Sequence, residues 1–183
     1  MGHGDVMPWW HAYTFDNWLR RLVHRPEKLL GPYVKAGMTV LDVGCGMGHF
    51  AIGMARMVGG TGSVIAVDVQ QEMLDVLRKR AERAGVAERI RMHRCEQDSL
   101  GVDDEVDFAV AFWVVHEAPD PQQLVAQISA CLEPSAKLLV AEPRFIVSEP
   151  EFGETIQAAR AAGLEECGRP HVSLCRAAVF VRG

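Results

Sequence analysis

The stretch Val40-Leu41-Asp42-Val43-Gly44-Cys45-Gly46-Met47-Gly48 decides the fold. It joins a mostly apolar run, Thr39 to Val43, to three glycines spaced by single residues, and a helical pattern follows as far as about Val58. These read as a strand covered on both faces, a tight turn where backbone can approach a ligand, and a helix. Open α/β sheets bind their ligands at such turns, outside the carboxyl ends of the strands.

Working outward, the same rhythm repeats. Ser63 to Val67 is a second strand ending at Asp68, followed by an amphipathic helix from about Gln71 to Ala84 with Met73, Leu74 and Leu77 on one face. A third strand covers about Arg89 to Arg94 and a fourth Asp107 to Phe112. Asp120-Pro121 offers an N-cap with proline at the first helical position, for a helix to about Leu132. Ala136 to Ala141 is the fifth strand, and Ser148 with Glu151 three residues on forms a capping box for a helix that Gly163 closes. Two last strands, near Glu165 to Arg169 and Leu174 to Arg182, lie too close in sequence for a parallel crossover, so they pair as an antiparallel hairpin. The expected fold class is α/β: a doubly wound, seven-stranded, mostly parallel sheet with an antiparallel C-terminal strand hairpin.

Two acidic positions sharpen the turn's chemistry. Asp42 precedes the glycines, and Asp68 ends the second strand 20 residues after Gly48, where a carboxylate can accept ribose hydroxyls. A dinucleotide site calls for G-x-G-x-x-G, but the glycines here run Gly44-x-Gly46-x-Gly48 and the sixth position is His49. A carboxylate beside the turn is unfavourable for a pyrophosphate and favourable for a ligand carrying an ammonium and a sulfonium. The contrast points to S-adenosylmethionine rather than NAD.

The 183 residues favour one domain, and 49% hydrophobic with 23% charged residues is a globular composition that excludes disordered and fibrous classes. Nineteen Lys and Arg against 24 Asp and Glu give a net charge of -5, a handicap for a nucleic-acid partner. No apolar run reaches the roughly 20 residues of a membrane span, so neither nucleic acid nor membrane is expected as a partner and a cytoplasmic location is. Five cysteines with no CxxC pair suit reduced thiols and no metal site.

The chain resembles the class I S-adenosylmethionine-dependent methyltransferases, in their small-molecule branch of type 11 or ubiquinone/menaquinone-biosynthesis-like enzymes. Val40 to Gly48 is similar to their first motif, and the match runs on through Val64-Ile65-Ala66-Val67-Asp68 with Met73-Leu74 and Asp107-Phe108-Ala109-Val110-Ala111-Phe112 to the terminal hairpin. The resemblance implies a Rossmann-like methyltransferase domain over residues 34–183 that uses S-adenosylmethionine to methylate a small-molecule acceptor. It places Asp42, Gly44, Cys45 and Gly46 around the methionine part, Asp68 on the ribose, Val69 and Met73 beside the nucleoside, and Ala111 and Phe112 near the methionine amino group. The adenine contact falls on Glu96 with Gln97, and Asp98 is the competitor.

His116 and Glu117 follow the fourth strand, at the rim where acceptors sit in this fold. His116 is the general-base candidate, since its ordinary pKa lies near neutrality; the alternative is that the pair caps its loop. His49 either touches ligand or caps the turn. Residues 1–33 hold Trp9, Trp10, Tyr13 and Phe15, which either extend the core at the sheet edge or form a lid binding the acceptor. Arg20, Arg21, His24 and Arg25 add positive charge there. With so short a chain, no separate target-recognition domain is expected, which argues against DNA methylation. A homodimer stays open. The competing functions are a non-catalytic protein that binds S-adenosylmethionine or S-adenosylhomocysteine, and an NAD-dependent oxidoreductase.

Overall fold

The computed structural model describes residues 24–183. Seven strands form one sheet in the order β3-β2-β1-β4-β5-β7-β6. The expected class is observed, mostly parallel with a reversed strand in a C-terminal hairpin. The described residues fall in two compact units, 24–95 and 96–183.

In the first unit a short helix α1 (Pro26–Leu30) precedes β1 (Thr39–Val43), α2 (His49–Met57), β2 (Ser63–Asp68), α3 (Gln71–Arg83) and β3 (Ile90–Arg94). Strands β1 and β2 pair in parallel from Thr39 opposite Ser63 to Val43 opposite Val67, and β3 continues from Val64 opposite Ile90 to Asp68 opposite Arg94. This register aligns the ends of β1 and β2, so Gly44 and Asp68 both emerge at one edge. Val40, Leu41, Val64, Ala66 and Val67 are buried, as strands covered on both faces require. Helix α3 buries Met73, Leu74, Leu77 and Ala81 at helical spacing, and each fully buried Leu contributes about 1.5–3 kcal/mol.

The second unit holds β4 (Val106–Phe112), α4 (Pro121–Cys131), β5 (Leu132–Pro143), α5 (Glu149–Ala161), β6 (Leu164–Gly168) and β7 (Cys175–Arg182). Strand β4 pairs in parallel with β5, and β7 runs antiparallel to both β5 and β6. The two caps read from sequence are made: Asp120 accepts the Gln123 amide at 3.0 Å, and Ser148 with Glu151 forms the full capping box. One boundary differs by more than two residues. β5 begins at Leu132, ahead of the expected Ala136, because Leu132 already pairs with Val106 and the ladder resumes at Lys137 opposite Phe108 after an irregularity containing Ser135 at φ 68°.

Candidate functional site

The glycine turn of the first unit is tied to the end of β2 by one side chain. Asp68 accepts the Gly46 amide on Oδ2 at 2.8 Å and the Gln70 amide on Oδ1 at 2.9 Å, while its own carbonyl accepts the Cys95 amide at 3.1 Å. The Cys45 amide donates to the Val67 carbonyl at 2.9 Å, pinning the turn to β2 a second time. Burial pushes the Asp68 carboxyl above its ordinary range, and the amides of Gln70, Gly46 and Val69 partly reverse the shift. Each carboxylate oxygen carries two lone pairs, so beyond the Gly46 and Gln70 amides the group keeps acceptor capacity for ligand hydroxyls.

The glycines of this turn do different work. Gly46 lies at φ 51° with no atom within 4 Å of where a Cβ would stand, so the chain faces open space there. At Gly48, φ 84°, a Cβ would stand 2.1 Å from Leu77 Cδ1, so this glycine lets the turn pack on α3. Gly48→Ala is therefore expected to cost stability, about 1–2 kcal/mol from the left-handed backbone and more from displacing buried Leu77. Gly46→Ala should show the backbone cost alone, and denaturant melts of the two variants will separate the contributions.

Other first-unit candidates fall around the same edge. Asp42 is buried at 2% exposure and Met73 at 6%, Cys45 is buried, and Val69 is half-buried. Burial pushes the Cys45 thiol well above its ordinary value, and the charges of Asp42 and Asp68 add to the effect. A thiol held protonated is a neutral wall group rather than a nucleophile. His49 donates from Nε2 to the His24 carbonyl at 2.7 Å, which gives its ring the role of fastening the turn.

In the second unit, Ala111 and Phe112 are buried at the end of β4, and Glu96 and Gln97 are exposed in a turn closed by the Glu96 amide on the Ser99 carbonyl at 3.1 Å. The competitor Asp98 is exposed, and its carbonyl accepts the Gln127 amide at 2.8 Å. His116 and Glu117 lie on a single 3-10 turn, Val115–Glu117. A carboxylate that sequence reasoning missed organises this turn: Glu142, fully buried on β5, accepts the Val115 amide on Oε1 at 2.9 Å and the His116 Nδ1–H on Oε2. Its signal was a lone acid in the otherwise apolar Leu138-Leu139-Val140-Ala141-Glu142. Burial lowers the His116 pKa, but the hydrogen bond and charge of Glu142 outweigh it, with Glu117 and Glu151 adding, and the net direction is up.

Trp113, between β4 and this turn, was also missed as a site residue. It holds φ 62°, an outlier for a bulky residue that a structure keeps at a cost of about 1–3 kcal/mol. Its amide donates to the Ala141 carbonyl at 2.8 Å and its indole N–H to Cys175 Sγ at 3.1 Å, and its ring meets Phe145 edge-on at 5.9 Å. Phe145, Ile146 and Leu174 are each more than half exposed. Trp9, Trp10, Tyr13 and Phe15 lie outside the described residues. Among the described residues, no helix is long and apolar enough to cross a membrane, and no group of three or more His, Cys, Asp or Glu is placed to hold a metal ion.

A family model described as a methyltransferase domain matches residues 34–167. A demethylmenaquinone methyltransferase of Lactobacillus johnsonii is 31% identical over 110 residues, 60% of this chain and 45% of the relative. A ubiquinone/menaquinone biosynthesis C-methyltransferase, UbiE, of a Marinomonas species is 29% identical over 119 residues, 64% of this chain and 46% of the relative. The chain thus spans just under half the length of these curated relatives. Among solved structures, a SAM-dependent methyltransferase from Aquifex aeolicus superposes with a TM-score of 0.86 at 26% identity, covering 97% of this chain and 100% of that one.

Proposed function

The chain belongs to the methyltransferase-domain family, within the class I S-adenosylmethionine-dependent methyltransferases, and from that premise we propose that it moves the methyl group of S-adenosylmethionine onto a small-molecule acceptor. The observation that carries this reading is the buried Asp68 carboxylate, fixed by two amides beside the open face of Gly46. The donor set fits the cofactor. Asp68 offers acceptors to a ribose, and carboxylates at positions 42 and 68 give the turn a negative field suited to a cation. Gly44, Cys45 and Gly46 would surround the methionine part, Val69 and Met73 the nucleoside with Glu96 and Gln97 at the adenine, and Ala111 and Phe112 the amino group. The cofactor supplies an electrophilic methyl on a sulfonium, an already activated carbon with a neutral leaving group.

The chain's own residues then have to bind, align and exclude water, which can supply much of the acceleration. Support for an apolar acceptor comes from Trp113, held in a strained backbone conformation against Phe145, with Ile146 and Leu174 exposed. His116, its Nδ1–H spent on Glu142, keeps Nε2 as the ring's proton acceptor. Glu117 on the same turn is a weaker base candidate. The division into an acceptor-side cover, residues 1–33 with Trp9, Trp10, Tyr13 and Phe15, and a donor domain from residue 34 belongs to this proposal. Its support is that the family match begins at residue 34. A cytoplasmic setting belongs here too, and it suits a chain in which none of the five cysteines forms a disulfide.

Calorimetry with S-adenosylhomocysteine and with NADH tests the cofactor. We expect one saturable site for the first and none for the second, and the reverse result would overturn the reading. Consumption of S-adenosylmethionine across a panel of small apolar acceptors distinguishes an enzyme from a protein that only holds the nucleoside.

A further inference from the structure

A hollow of about 540 Å³ lies between α1, α2 and the last turns of α3, with Met47, Gly48 and His49 of the glycine turn and helix start also in its lining. Its charge is one-sided. Arg25 just ahead of α1, Arg56 in the last turn of α2, and Arg80 and Arg83 at the end of α3 line it, with Glu27 as the single carboxylate in the lining. This concentration of guanidinium groups stands in a chain whose net charge is -5.

A solvated helix face does not account for the arrangement, because three separate segments contribute their arginines to one concavity. Among the described residues, no carboxylate forms an ion pair with Arg25, Arg56 or Arg83. Clustered like charges repel, and an anion set among them relieves that repulsion. Guanidinium forks match the oxygens of phosphate in pairs, which ammonium groups cannot do. Pro26, Ile52 and Gly53 supply an apolar side to the hollow, and its volume falls within the roughly 300–1,000 Å³ of small-molecule sites.

We propose that this hollow binds a phosphate-bearing small molecule through Arg25, Arg56, Arg80 and Arg83, where it adjoins the end of the methyl-donor turn at Met47 and Gly48. Arg80 also donates from Nη1 to the Met47 carbonyl at 3.2 Å, inside that turn, so it is left intact in the test. Arg56 and Arg83 are exposed and can be replaced without opening the core.

The full chain is titrated calorimetrically with inorganic pyrophosphate at low ionic strength. One saturable site is expected, weakened at least tenfold in Arg56→Gln/Arg83→Gln and weakened in the wild type by added salt, since screening acts on exposed charges. The control is Arg78→Gln/Lys79→Gln, which removes the same charge from exposed positions of α3 outside the hollow and should bind pyrophosphate as the wild type does. No binding to the wild type, or an equal loss in both double variants, would overturn the proposal.

Discussion

Replacing His116 with Gln is expected to lower kcat roughly a hundredfold at neutral pH, the lower end of what a positioned general base contributes. The imidazole must be neutral to accept a proton. Because its pKa is raised, the wild-type rate should climb with pH through a value above the ordinary 6.5 and level off once the ring has lost its charge. Glu142→Gln removes the charge that raises this pKa, so the climb should move to lower pH, and that displacement distinguishes a positioning role from a merely structural one. The stability sign is opposite. A raised histidine pKa stabilises the fold fully below the unfolded value and loses that contribution as pH rises through the folded one. The destabilisation caused by His116→Gln should therefore be larger at pH 6 than at pH 9. If His116→Gln keeps the full rate while folded, alignment alone drives the transfer and the base assignment falls, with the donor site untouched.

Asp68→Ala should weaken S-adenosylhomocysteine binding by about 1–3 kcal/mol, the scale of lost hydrogen bonds to a charged group, or about 5- to 150-fold in Kd. Part of this loss is indirect, since the Gly46 and Gln70 amides also lose their acceptor. Asp68→Asn retains one acceptor oxygen and should fall between wild type and alanine. Calorimetry on variants whose circular dichroism matches the wild type reads the effect, and unchanged affinity in Asp68→Ala would remove the ribose assignment.

The elements of this fold were legible because local rules and burial agree along most of the chain. The spacing of Met73, Leu74 and Leu77 predicted the buried face of α3, and the Asp120 and Ser148 caps appear where their neighbours require them. The short link between the last two strands likewise dictated their antiparallel pairing. What sequence could not supply was partnership across distance. Glu142 lies 26 residues from His116, and only strand pairing reveals that a buried acid on β5 reaches the turn after β4. Nor could it show the positive φ of Trp113, because sequence patterns report favourable backbone conformations and this one is unfavourable. Three glycines one residue apart also looked equivalent until Leu77 was found beneath Gly48 and open space beside Gly46.

The hydrogen bonds converging on Asp68 have a consequence for how the protein meets its nucleoside. One residue already joins three segments, the glycine turn, the start of α3 and the exit of β3, before anything arrives. Such a mould is cast in advance, so little chain entropy remains to be lost on docking. Amide exchange at Gly46 and Gln70 should accordingly be slow in the ligand-free protein and slow only modestly further when the nucleoside is added.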